Sequence, residues 1–125
     1  MDHRNRAPNR NAVLGARELT TSPSTAASAT AATGGDTSSI EIAELYAPFS
    51  HQQLILAEAI GLPASAKINP SGGALSANPM FSAGLERIGF AAEHIFNGSA
   101  GRVLAHATSG PALQQNLVAV LEGKN

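Results

Sequence analysis

The chain has 125 residues, a formal net charge of −1 and no cysteine. This length fits one domain or part of one, and so small a net charge creates no overall field for nucleic acid or an acidic membrane. The absence of cysteine excludes disulfides, zinc–cysteine sites and cysteine nucleophiles. No apolar run approaches the ~18 residues of a membrane span, and the basic N-terminus lacks the apolar region of a secretory signal. We therefore expect a cytoplasmic protein with no membrane span and no nucleic-acid partner.

Residues 1–17 are predicted to be a disordered basic arm. Half of the eight basic residues lie there, namely Arg4, Arg6, Arg10 and Arg17. Such an arm can touch phosphate, but a solvated and poorly ordered terminus accounts better for the pattern.

Residues 18–39 are dominated by Ala, Ser, Thr and Gly, and the composition leaves two alternatives. One is a flexible linker. The other is a helix, with Ser22 as the N-cap, Pro23 in the first helical position and Gly34 after the C-terminus.

From residue 40 the pattern predicts alternating strands and helices. Ile40–Leu45 reads as a strand that Pro48 ends. Ser50–Gly61 reads as a helix that begins with a capping box, formed by its first residue and Gln53, and stops at its glycine. Lys67–Asn69 is predicted to be a short strand.

The second half of the chain contains the clearest helix. Asn78 is the predicted N-cap, Pro79 the first helical residue and Asn97 the C-terminus. Its apolar positions recur at helical spacing and predict a helix deep inside the fold: Phe81, Leu85, Ile88, Ala92 and Ile95.

Two strands follow, at Arg102–Thr108 and Asn116–Glu122. Because Leu117–Leu121 is apolar on both faces, we expect a central strand that is covered on both sides. The order of elements predicts an α/β fold, a mixed sheet with covering helices and a parallel portion. Two helices supply too little cover for such a sheet, so a further element is expected to complete it.

Polar and glycine residues mark a candidate site at the strand ends. Tyr46 ends a strand, where open α/β sheets place their ligands. The loop Asn69–Gly73 joins a strand to a helix, and its paired glycines permit close backbone approach to a ligand. His106 lies on a strand, where packing is the commoner role. No histidine or carboxylate cluster indicates a metal site.

Three stretches, taken together, resemble the C-terminal motif blocks of the thiolase superfamily, in the same order. They begin with Glu44-Leu45-Tyr46-Ala47-Pro48-Phe49-Ser50, continue with Asn69-Pro70-Ser71-Gly72-Gly73-Ala74-Leu75-Ser76-Ala77-Asn78-Pro79, and end with His106-Ala107-Thr108-Ser109-Gly110-Pro111. The chain is most similar to the thiolase-like lipid-transfer and acetyl-CoA acetyltransferase branch. The resemblance covers roughly residues 15–123 and favours a helix within residues 18–39.

The resemblance implies that residues 40–123 form a thiolase C-terminal-like domain. Thiolases pack two similar βαβαβαββ halves into a five-layer sandwich, and this chain resembles most of the second half. The nucleophilic cysteine that carries the acyl group belongs to the first half, which this chain lacks.

Site residues carried over by position depart from the usual thiolase pattern. Asn78 stands where thiolases have the histidine of a Gly-His-Pro motif, Tyr46 begins the block that replaces Asn-Glu-Ala-Phe, and Thr108 aligns near the second catalytic cysteine. The resemblance implies Tyr46 as donor to a substrate oxygen, Asn78 as a neutral orienting group and His106 as a proton-transfer residue. It implies substrate contacts at Asn69, Gly72, Gly73, Ser109 and Gly110.

The implied family activity is acyl-CoA acyl transfer, with acyl-CoA or CoA as substrate and no cofactor or metal. Without a cysteine, the isolated chain is expected to be inactive. Two alternatives stay open. The chain is a non-catalytic interaction subunit that pairs with a thiolase N-terminal half or forms a homo-oligomer, or it is a component of a thiolase-like acyl-CoA aldolase.

Overall fold

Four helices and four strands form the framework of residues 18–124, the part of the chain that the computed structural model describes. The basic arm predicted for residues 1–17 lies outside the described residues. The helices are α1 (Pro23–Thr33), α2 (Ser50–Ile60), α3 (Gly73–Ser76) and α4 (Ala83–Phe96), and the strands are β1 (Ile42–Leu45), β2 (Lys67–Ile68), β3 (Arg102–Ser109) and β4 (Gln115–Glu122). Short 3-10 turns occupy Met80–Ser82 and Pro111–Leu113.

The strands form one mixed sheet in the order β2-β1-β3-β4. β1 runs parallel to both β2 and β3, whereas β4 pairs antiparallel with β3. The α/β class and the parallel portion of the sheet are therefore confirmed.

Helices cover both faces of the sheet. On one face, α1 and α2 pack over Ala43, Leu45 and Leu104, which share a core with Leu56 and Ile60. On the other face, α4 packs over Ile42, Val103 and Ala105. Because side chains alternate along a strand, neighbouring residues of β1 and β3 belong to different cores.

The segment of residues 18–39 contains a helix, which settles the choice between linker and helix. Pro23 occupies the first turn of α1, and Gly34 ends the helix in the left-handed conformation. The small side chains of α1 let it lie against β4 and the turn before it, where Ser24 donates to the Leu113 carbonyl and Ser28 to the Asn116 carbonyl.

The capping box predicted for α2 is wrong. The helix begins at Ser50 with Phe49 as its N-cap, and no side chain caps it. Gln53 instead accepts a hydrogen bond from the Asn69 side chain. The predicted end at Gly61 is confirmed, since Gly61 is left-handed and donates its N–H to the last carbonyls of the helix.

The helix predicted from Asn78 starts later, at Ala83. Met80 has φ +53°, which is left-handed and interrupts a helical run. The predicted burial of the apolar stripe is also wrong in its first half. Phe81 is fully exposed and Leu85 is 74% exposed, whereas Ala83, Arg87 and Ala91 face the sheet.

The prediction that Leu117–Leu121 is a central strand is wrong as well. β4 lies at the edge of the sheet and pairs only with β3 within residues 18–124. Leu117 is 52% exposed, and the following four residues are half-buried. The two-sided apolar pattern of this strand is thus only partly covered.

Candidate functional site

The carboxyl ends of the three parallel strands lie at the same end of the sheet, here called the Tyr46 edge. It runs across the strands and is distinct from the edge strand β4. Tyr46 directly follows β1, Asn69 follows β2, Ser109 ends β3 and Gly110 follows it. The register pairs Leu45 with His106, so β1 ends beside His106 and β3 continues to Ser109 in the same direction. This is the edge at which open α/β sheets place their ligands.

Tyr46 and Asn78 come together at this edge. The Tyr46 hydroxyl donates to Asn78 Oδ1 at 3.0 Å, in exposed surroundings. Asn78 Oδ1 also accepts the Met80 N–H at 3.0 Å, which fixes the amide oxygen toward the tyrosine. Two donors therefore converge on one carbonyl oxygen, and this geometry leaves the phenol oxygen able to accept or exchange a hydrogen bond with a ligand.

The loop Asn69–Gly73 is held in a single conformation by its own side chains. Asn69 Oδ1 accepts the Leu45 N–H at 2.6 Å, and its amide nitrogen donates to Gln53 at 3.1 Å. Gly72 and Gly73 have φ values of +93° and +60°, where a side chain is strained. A Cβ on Gly73 would lie 2.9 Å from the Asn69 side chain. The glycines thus form a compact turn before α3, while Asn69 is engaged within the protein.

The structure places the His106 ring away from Tyr46 and Asn78. The ring is 1% exposed and faces α1, on the side of the sheet opposite to α4. Asn116 Nδ2 donates to Ser24 Oγ and to the Leu113 carbonyl, so Asn116 Oδ1 must accept from His106 Nε2, at 2.9 Å. Nε2 therefore carries the proton, and Nδ1 is a buried nitrogen without a hydrogen-bond partner.

This environment changes the acid–base behaviour of the histidine. Burial lowers the pKa of His106 below its ordinary value, and the hydrogen bond to Asn116 offsets part of that shift. The ring joins β3 to Asn116 of β4, which in turn donates to Ser24 of α1. Of the three residues expected to converge, the described structure brings two together.

The remaining sequence-predicted positions are at the end of β3. Thr108 donates its hydroxyl to the Gln115 carbonyl at 3.0 Å, so this side chain closes the hairpin. Ser109 and Gly110 are exposed at the same edge as Tyr46.

Two features of this edge were missed by the sequence analysis. The first is a turn in which two successive non-glycine residues, Ala112 and Leu113, have φ values of +54° and +55°. Such residues are strained and are kept by their surroundings. Here the Leu113 carbonyl accepts from both Ser24 and Asn116. The second is a fully buried Glu44, whose partners come from the Asn69–Gly73 loop and from α4.

Residues 18–124 offer little for other kinds of site. No group of three or more His, Asp or Glu side chains could hold a metal ion there. Within the same range, no helix has the length and apolar character needed to cross a bilayer. One cavity lies between the start of α1 and α2, and another beneath the amino-terminal end of β1, so neither adjoins Tyr46.

Comparisons with known proteins add no relative. No protein-family model, no curated protein and no solved structure matches the chain.

Proposed function

We propose that the chain is the C-terminal half of a thiolase-like acyl-CoA enzyme, and that it recognises the acyl thioester at the Tyr46 edge but does not carry the nucleophile. The observation that carries this proposal is the Tyr46–Asn78 pair, in which an exposed hydrogen bond holds the half-buried tyrosine at the carboxyl ends of parallel strands. A phenol hydroxyl suits a thioester carbonyl or an enolate oxygen.

The absence of cysteine defines the chemistry that this half can supply. When substrate binds, Tyr46 turns its single hydroxyl hydrogen from Asn78 Oδ1 to the substrate oxygen, and Asn78 holds the phenol in place beforehand. The acyl-carrying thiolate is supplied by a separate N-terminal half. No step of covalent acyl transfer is assigned to the residues of this chain.

A direct binding measurement tests the proposal. Acetyl-CoA titrated into the full chain should shift the amide resonances of Gly72 and Gly73. Tyr46→Phe should weaken binding by about fivefold, because one hydrogen bond to a ligand contributes about 1 kcal/mol. Thr30→Val removes a hydroxyl from the outer surface of α1 and should leave the affinity unchanged. Equal affinities for Tyr46→Phe and the unaltered chain would show that the tyrosine does not contact the ligand. An absence of resonance shifts at millimolar acetyl-CoA would show that the chain does not bind the thioester at this edge.

A second function, as a non-catalytic interaction subunit, is favoured by a different observation. The outer face of α4 and the turn before it carry exposed large apolar side chains, with Phe81 102%, Leu85 74% and Phe96 88% exposed. A helix that is apolar on the side away from its own sheet is typical of a helix covered by another layer. A thiolase N-terminal half is the partner implied by the resemblance, and a second copy of this chain is the alternative.

A further inference from the structure

Glu44 is a fully buried carboxylate in the middle of β1, and its three partner residues come from the Asn69–Gly73 loop and from α4. Oε1 accepts the Ser71 N–H at 3.2 Å and lies 3.1 Å from His94 Nε2. Oε2 accepts the Ser71 hydroxyl at 2.6 Å and lies 3.7 Å from Arg87 Nη1. Removing an ionised carboxylate from water costs several kcal/mol unless it is paired. An apolar side chain would pack a strand at less cost, so the carboxylate points to a role beyond filling the core.

Ser71 connects this carboxylate to the glycine turn. Besides its two bonds to Glu44, the Ser71 hydroxyl oxygen accepts the Gly73 N–H at 3.2 Å. The left-handed conformations of Gly72 and Gly73 are therefore tied to Glu44 through a single residue. Asn69 holds the other end of the same loop to β1.

Arg87 and His94 connect the carboxylate to α4. They are seven residues apart, which is two helical turns, and so they lie on one face. Arg87 is 2% exposed and its guanidinium lies over the Phe90 ring at 5.2 Å. The same helix follows the segment that carries Asn78. Glu44, one strand position before Leu45 and two before Tyr46, thus joins β1 to the glycine loop and to α4.

We propose that Glu44 is a positioning residue. Its carboxylate sets the distance and angle between the Gly72–Gly73 turn and the end of β1, with Arg87 balancing its charge and His94 within hydrogen-bond distance. The role at a thioester site rests on the proposed function, whereas the control of the loop conformation does not.

Amide hydrogen exchange on the full chain tests the positioning role without any ligand. Glu44→Gln should accelerate exchange of the Ser71 and Gly73 amides by about tenfold or more relative to the Leu104 amide of β3, because only the loop opens. Ser71→Ala, which keeps the core intact, should accelerate Gly73 in the same way, and Ser71→Thr should restore its protection. Glu93→Gln makes the same chemical change at an exposed position of α4 and should alter neither amide.

Two outcomes would overturn the proposal. If Glu44→Gln accelerates Ser71, Gly73 and Leu104 equally, the carboxylate serves stability alone. If Ser71→Ala leaves Gly73 protected, the hydroxyl does not transmit the constraint. Failure of acetyl-CoA to bind the unaltered chain is a separate result, because it removes the thioester site and leaves the exchange measurements as they stand.

Discussion

His106 shows how burial can turn a residue expected at a catalytic site into a structural one. Its ring is buried, its Nε2 hydrogen is used by Asn116, and Nδ1 has no partner. A charged ring at this position would hold a second hydrogen without an acceptor, and the lowered pKa of His106 follows mainly from that burial.

The lowered pKa predicts a pH dependence of stability. Between the folded-state pKa of His106 and its ordinary value of about 6.5, the unfolded chain binds more protons than the folded chain. Stability must therefore fall as the pH decreases through this window, by at most about 1.4 kcal/mol per pH unit for one proton. Urea unfolding from about pH 7.5 to pH 5.5 measures this slope.

A variant isolates the contribution of His106. His106→Gln should flatten the slope, even where it lowers stability at every pH. His51→Gln, at an exposed position, should keep the slope of the unaltered chain. Parallel pH profiles for His106→Gln and the unaltered chain would show that the buried ring does not couple to folding.

Glu44 marks the limit of what individual residues reveal in the sequence. Its strand was predicted, but its burial depends on partners that are 27 to 50 positions away along the chain. Helical spacing places Arg87 and His94 on one face of α4, but no local spacing connects that face to Ser71 or to Glu44. Tyr46 and Asn78 are also 32 positions apart, and it was the family resemblance rather than periodicity that brought them together.

At the scale of elements, the glycines that end helices predicted the structure better than the spacing of apolar residues did. Gly34 and Gly61 end α1 and α2 as expected, because a left-handed residue after a helix is a local requirement. The helical spacing of Phe81 and Leu85 predicted that both side chains are buried, whereas both are exposed. α4 turns Ala83, Arg87 and Ala91 toward the sheet, where the small side chains permit close approach and Arg87 reaches Glu44.

That orientation of α4 leaves an exposed apolar surface, which is predicted to bind apolar partners. The isolated chain should bind a hydrophobic dye and self-associate, because Phe81 and Leu85 are exposed. Phe81→Ser combined with Leu85→Ser should lower dye fluorescence and shift sedimentation toward the monomer, while stability changes by no more than about 0.5 kcal/mol. The Leu54 side chain of α2 is also 73% exposed but stands alone, so Leu54→Ser should have little effect on dye fluorescence or sedimentation. If the Phe81/Leu85 double variant and the Leu54 variant gave equal dye fluorescence, the dye-binding surface would lie elsewhere.

At the scale of the whole molecule, the sheet has more cover than the sequence predicted, because α1 and α2 cover one face and α4 covers the other within residues 18–124. The apolar edge strand β4 and the outer face of α4 remain exposed. The position of β4 could not be predicted, because a strand that is apolar on both faces has the same pattern at an edge as at the centre.

The absence of a thiol predicts how the whole chain behaves toward substrate. Thioester exchange through an acyl-enzyme needs a thiolate, and this chain contains no cysteine. Purified protein incubated with an acetoacetyl-CoA-type substrate should release no acetyl-CoA in the presence of CoA, and intact-mass spectrometry should detect no added acyl group. A thiolase assayed in parallel verifies detection.

Adding an N-terminal thiolase half should restore turnover if the chain is a catalytic half, and it should produce a complex without turnover if the chain is an interaction subunit. Turnover by the chain alone, after contaminating thiolases have been removed, would show that its chemistry does not depend on an acyl-cysteine.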